Sequence, residues 1–145
     1  MRKRVLSERL VEYSINVESW GYYYSYIAEP LTDVIVNEFV HLETLELRGK
    51  VDVPHKAGSA ATIRIACEKS PADGEQIRYD RPVLGNLVAK AKLLDAYVLL
   101  PAEHVTRLTS VVASGKIKVV RLMATNSVGG KALIRNITVS TDFDS

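Results

Sequence analysis

The sequence predicts an all-β fold, mainly antiparallel, with one short helix before a C-terminal β-hairpin. Runs of alternating apolar and polar residues fill most of the chain, turn residues separate them, and the stretch 102–114 alone repeats its apolar residues at helical spacing. We expect about eight or nine short strands. They favour a two-sheet β-sandwich with the helix closing one end, and a partly open barrel is the alternative.

The first half of the chain contains several strand signals. Alternation over residues 10–19 predicts a half-buried strand, and Gly21 is expected to bend or turn the chain before a tyrosine-rich strand that ends at Pro30. Residues 32–47 fit neither template throughout, which favours a strand whose phase slips near Glu43 and Thr44 over one helix. A helical turn at 33–37 is the alternative there.

The middle of the chain predicts shorter strands. Residues 61–68 alternate with Cys67 facing inward, residues 70–74 have the composition of a surface turn, and residues 76–80 suggest an edge strand. A further strand is expected within 82–92. We expect one domain over residues 1–145, with an ordered core at about 8–141.

The stretch 93–141 has the clearest signals. Residues 93–100 are apolar at both parities, which predicts a strand buried on both faces. Pro101 suits the first turn of a helix, and Gly115 supplies its left-handed cap. Residues 117–125 and 131–141 then alternate around a glycine-containing loop, which predicts a β-hairpin.

Composition suggests a cytoplasmic, non-membrane protein. No apolar run approaches the length of a membrane span, and the basic residues 1–4 lead into no apolar segment of a signal peptide. The chain has one cysteine, which agrees with a reducing compartment.

The search for reactive motifs is mostly negative. His41, His55 and His104 lack the spacing of metal ligands, and no nucleophile elbow or phosphate loop is present. His41 and Glu43 share a strand face and could be two ligands of a larger site, but we interpret them as an exposed polar pair. Cys67 is interpreted as a small buried apolar group. We therefore expect no metal, no cofactor and no catalytic residue, which favours a protein that is not an enzyme.

A row of aromatic residues is the first candidate for binding. In an extended strand its members project from one face, with Tyr23 and Ser25 on the other, and could stack on sugars, bases or a partner protein. Tyrosine also suits a half-buried pleated surface, so the favoured interpretation is that the row forms half of the core. The row comprises Trp20, Tyr22, Tyr24 and Tyr26.

Basic residues in the C-terminal hairpin are the second candidate. A β-ribbon that carries cations can lie along a phosphate backbone, although the small net charge of +2 favours a solvated face. These residues are Lys116, Lys118, Arg121, Lys131 and Arg135.

These observations support one leading functional hypothesis and three alternatives. The first is a non-catalytic interaction protein that binds a protein partner or another copy of itself through an edge strand or the aromatic row. The alternatives are a carbohydrate-binding module, a nucleic-acid binder that uses the basic hairpin, and an enzyme assembled from distant residues.

Overall fold

The computed structural model describes residues 9–30, 37–53, 59–67, 83–90, 92–126 and 128–141. These residues form seven strands and one helix, in the order β1 (Leu10–Pro30), β2 (Asn37–Val53), β3 (Ser59–Cys67), β4 (Gly85–Lys90), β5 (Leu93–Leu100), α1 (Ala102–Ala113), β6 (Val119–Thr125) and β7 (Lys131–Ser140). The turn expected at 70–74, the edge strand at 76–80 and most of the alternative helical turn at 33–37 lie outside the described residues.

The strands close into one barrel in the order β1-β2-β3-β5-β4-β7-β6. Every pairing is antiparallel except β3 with β5, and β6 returns to pair with β1. The mainly β fold, the helix before the C-terminal strands and the β6–β7 hairpin are therefore confirmed. The two-sheet sandwich is not: β6 pairs with β1, so the described strands form one closed sheet.

The barrel interior is filled by alternate residues of every strand. Ile15, Leu45, Ile63, Val98 and Leu122 are among the fully buried side chains. Helix α1 packs against β2 and β3 at the end of the barrel where β3 and β5 finish, and it adds Val105 and Val112 to the core. Among the described residues, no helix is long and apolar enough to cross a membrane.

Strand β5 is buried on one face only, so the prediction of burial on both faces was wrong. Leu94, Ala96 and Val98 face the core, whereas Leu93 and Tyr97 on the outer face are exposed. In a closed barrel whose helix covers one end, nothing in the described structure lies over the outer face of β5. Apolar residues on the outer face of β5 are therefore not evidence that this face is buried.

Strand β1 continues through Gly21 without a turn, contrary to the expected bend. Its register against β2 instead shifts between Val17 and Ser19, so that Glu18 is the extra residue of a β-bulge. Gly49 lies opposite this bulge, where an added Cβ would stand 1.8 Å from the carbonyl oxygen of Asn16. The bulge therefore requires glycine at its partner position.

The far halves of β1 and β2 extend beyond their other neighbours. Strand β1 pairs with β6 only along Leu10–Asn16, and β2 pairs with β3 only along Thr44–Val51. Residues 24–30 and 37–43, which pair with each other, form a two-stranded extension that we call the aromatic arm.

Candidate functional site

The register of β1 and β2 places the aromatic row on the same face as the core residues of β2. Trp20 lies opposite Leu47, and Tyr22 lies opposite Leu45. Tyr24 and Tyr26 lie further along the same face, where the register continues onto the aromatic arm. Cross-strand partners point to one side of a sheet, so the interior face of the barrel continues onto the arm as a row of rings.

The rings are nevertheless exposed. Trp20 keeps 42% of its surface exposed, Tyr22 45%, Tyr24 56% and Tyr26 60%, while Tyr23 on the opposite face keeps 58%. The interpretation of this row as half of the core was therefore wrong. The barrel closes around aliphatic side chains, and the rings continue past its end as a surface.

Glu43 is the polar centre of this surface. Only 2% of the residue is exposed. Its Oε1 accepts a hydrogen bond of 2.8 Å from the Tyr22 hydroxyl and one of 3.1 Å from the Thr106 hydroxyl of α1. The interpretation of Glu43 as part of an exposed polar pair was wrong, because α1 and the Tyr22 ring cover its carboxylate.

His41 lies beside this carboxylate but does not complete its hydrogen bonding. Its Nε2 is buried, lies 3.2 Å from Oε2 of Glu43 and has no hydrogen-bond partner within the described residues. The imidazole lies 5.2 Å from the Tyr24 ring centroid and 6.4 Å from that of Tyr26. The thiol of Cys67 donates to the His41 carbonyl oxygen at 3.6 Å. The imidazole therefore contacts both the Glu43 carboxylate and the two tyrosine rings.

Tyr22 is held in its neutral form by this environment. Burial, the hydrogen bond to Glu43 and the nearby carboxylate charge raise the pKa of Tyr22 to about 12. Thr106 has a single hydroxyl proton, and its oxygen lies within reach of both Glu43 and the Ala102 carbonyl oxygen, 3.0 Å away. The Tyr22 hydroxyl therefore donates to Glu43 alone, whereas the single Thr106 proton is shared between two acceptors.

The Glu43 carboxylate anchors the base of the aromatic arm. Glu43 joins three elements, since its carboxylate on β2 accepts from β1 and α1. Within the ranges that the structure describes, no three histidine, cysteine or acidic residues are grouped to hold a metal ion. The hydrogen bond to Glu43 positions the Tyr22 ring at the base of the aromatic arm.

The five basic residues of the hairpin do not form one patch. Lys118 pairs by its backbone with Ser140, at the end of β7, whereas Lys131 begins that strand, about 30 Å away at the usual rise per residue. Arg121 points toward Glu12, with 4.0 Å between Nε and Oε1. Lys116 is exposed beyond the helix, and Arg135 is the extra residue where the β6–β7 register shifts.

Sequence reasoning missed the role of Glu43 because it placed a phase slip there. The register runs without interruption from Glu46 to Asn37, and its two shifts lie elsewhere, between Ser14 and Ile15 and between Val17 and Ser19. Odd-numbered residues of β2 face inward from Val51 back to Leu45, and the same parity extended by one step would have placed Glu43 inside. Its partner Thr106 comes from a distant element that a single sequence does not connect.

In the part of the chain that the structure describes, fold and site together define a closed, seven-stranded β-barrel with the aromatic arm anchored on a buried glutamate. In comparisons with protein-family models, curated proteins and solved structures, the chain matches none.

Proposed function

We propose that this chain is a non-catalytic interaction protein that binds protein, in the first instance a second copy of itself, through the aromatic arm. The observation that carries the proposal is the exposure of Tyr24 and Tyr26 on the aromatic arm, and of Tyr23 immediately before it, at 56 to 60% of each residue. Tyrosine rings offer large apolar area with a polar tip at small entropic cost, which makes them frequent anchors at protein interfaces.

The geometry of the arm supports binding by strand addition. No described strand lies along the outer edge of either half of the arm, so its backbone can extend a partner's sheet. Two identical edges that run antiparallel would generate a two-fold symmetric dimer. Rings on both faces would then pack across the new junction.

Light scattering at micromolar concentration tests this proposal. The wild-type chain is expected to give a mass above the 16.1 kDa of one chain. The double variant Tyr23→Ser, Tyr24→Ser is expected to shift the mass toward the monomer. The two serine side chains keep this part of the strand polar, and they remove the aromatic rings that would pack against a partner.

A matched control uses Tyr97, which is also exposed but lies on β5, away from the arm. Tyr97→Ser should leave the mass unchanged. A wild-type chain that stays monomeric would refute self-association. If the double variant associates as strongly as wild type, the interface does not include these two tyrosines.

Carbohydrate binding is a second candidate, favoured by the exposure of Trp20, Tyr22 and Tyr24 along one face. The chain has one tryptophan, so the fluorescence of Trp20 reports on that face alone. Titration with soluble gluco-oligosaccharides should shift its emission, and the shift should weaken in Tyr24→Ala but not in Tyr97→Ala. An emission spectrum that does not respond to the sugars would rule out their binding at these rings.

We also propose that the protein works in the cytoplasm as a homo-oligomer. A free, half-buried Cys67 agrees with a reducing compartment.

A further inference from the structure

A groove of about 380 Å³ lies between α1 and β7, away from the aromatic arm. Leu100, Leu108, Ile137 and Val139 form its apolar walls, and all four are partly buried against the core. Pockets of this size with mainly apolar walls are typical of small-molecule sites. The groove is large enough for a short alkyl chain.

Two nitrogen-bearing side chains of α1 border the groove. His104 and Arg107 are three residues apart on the helix, so they lie on one side of it, and both residues are exposed. Arg107 forms no ion pair with any described residue, including Glu103 one turn earlier. An unpaired guanidinium beside apolar walls is complementary to an anionic head on an apolar tail.

We propose that this groove binds an amphiphilic carboxylic acid. The alkyl chain lies against Leu108, Ile137 and Val139, and the carboxylate accepts hydrogen bonds from the Arg107 guanidinium, with His104 beside it. This site is independent of protein binding at the aromatic arm, and neither proposal requires the other.

Titration with octanoate, followed by amide chemical shifts in NMR spectra of the full chain, tests the proposal. We expect saturable shifts at residues of the groove with a Kd on the order of 1 mM, given the small number of ligand atoms. Each CH₂ removed from the chain should weaken binding about fourfold, because each one buries additional apolar area. Hexanoate should therefore bind roughly 15-fold more weakly than octanoate.

The carboxylate contact is tested separately with Arg107→Gln. This variant should weaken octanoate roughly five- to tenfold and leave the neutral analogue octanamide unchanged. Lys116→Gln is the matched control, since it removes the same charge from an exposed residue just beyond the other end of α1, outside the groove. It should bind octanoate as wild type does, and an unchanged thermal midpoint of each variant shows that the fold is intact.

Three results would overturn the proposal. The first is an absence of saturable groove shifts up to about 10 mM octanoate, ten times the expected Kd. The second is an affinity that does not depend on the length of the alkyl chain, which would show that the apolar walls do not contact the ligand. The third is equal octanoate affinity in Arg107→Gln and wild type, which would show that Arg107 does not bind the carboxylate.

Discussion

At the scale of single residues, Glu43 has the most demanding environment in the described structure. A carboxylate with 2% of its residue exposed loses almost all contact with water, so its donors must replace that solvation. Tyr22 and Thr106 supply hydroxyl donors from two other elements. The hydrogen bonds that the Glu43 carboxylate accepts therefore hold β1 and α1 together at this point.

Removing the hydroxyl of Tyr22 should destabilise the protein. Tyr22→Phe leaves the Glu43 carboxylate buried with one donor fewer, and we expect the free energy of unfolding to fall by about 1–2 kcal/mol, since Tyr22 itself is partly exposed to water. Urea unfolding at pH 7 measures the change.

Tyr23→Phe is the control for this measurement, because Tyr23 lies on the opposite face and its hydroxyl has no hydrogen bond to a described residue. Its effect should stay within about 0.5 kcal/mol. Equal effects of the two substitutions would mean that the Tyr22 hydroxyl does not stabilise Glu43.

At the scale of elements, the bulge at Glu18 decides which face the aromatic row occupies. Before it, Tyr13 and Ile15 face inward at odd positions; after it, the even-numbered Trp20 and Tyr22 share the face of inward residues of β2. One extra residue in β1 reverses the parity of everything that follows.

Deleting Glu18 should remove the bulge and keep Tyr22 beside Glu43. Val17 pairs with Gly49 and Ser19 pairs with Arg48, so without Glu18 these two residues follow one another as in a regular strand and Tyr22 stays opposite Leu45. We expect the deletion variant to keep the Trp20 emission maximum of the wild type.

Glu18→Ala keeps the number of backbone residues and should retain the wild-type emission and stability within about 0.5 kcal/mol. A shifted emission maximum in the deletion variant alone would mean that Glu18 is not the residue that the bulge adds to β1.

The elements differed in how far the sequence predicted them. The α1 helix and the β6–β7 hairpin were predicted because proline, glycine and a change of period mark their ends locally. The bulge was not, because nothing in the sequence around Glu18 distinguishes an extra residue from a regular step. Gly49, which accommodates it, lies thirty-one positions away, and only the paired strands bring the two together.

At the scale of the whole molecule, strand alternation predicted a β fold but not its closure. A sandwich and a barrel both bury alternate residues, so periodicity does not distinguish them. The pairing of β1 with both β2 and β6 decides it, and so does the parallel contact of β3 with β5. These contacts join distant parts of the chain.

The stability of the whole barrel should depend on pH at both ends of the scale. On the acid side, hydrogen bonds and charges from Arg48 and Arg64 lower the pKa of Glu46 below its usual 4.5. A lowered folded-state pKa gives stability that is present above pH 4.5 and is lost as the pH falls through the folded value. The contribution is small because these two ion pairs lie at the surface.

On the alkaline side, folding keeps two tyrosines protonated. Burial raises the pKa of Tyr13, and burial together with Glu43 raises the pKa of Tyr22 to about 12. The folded state then binds more protons than the unfolded state above pH 10, so their stabilisation is complete below pH 10 and is lost as the pH rises toward 12. Urea midpoints measured from pH 9 to 12 should fall less steeply in Tyr22→Phe than in wild type. Tyr23→Phe should keep the wild-type slope, and a Tyr22→Phe slope equal to wild type would contradict the role of Glu43 in holding this proton, because lysine and Tyr13 titration is common to all three proteins.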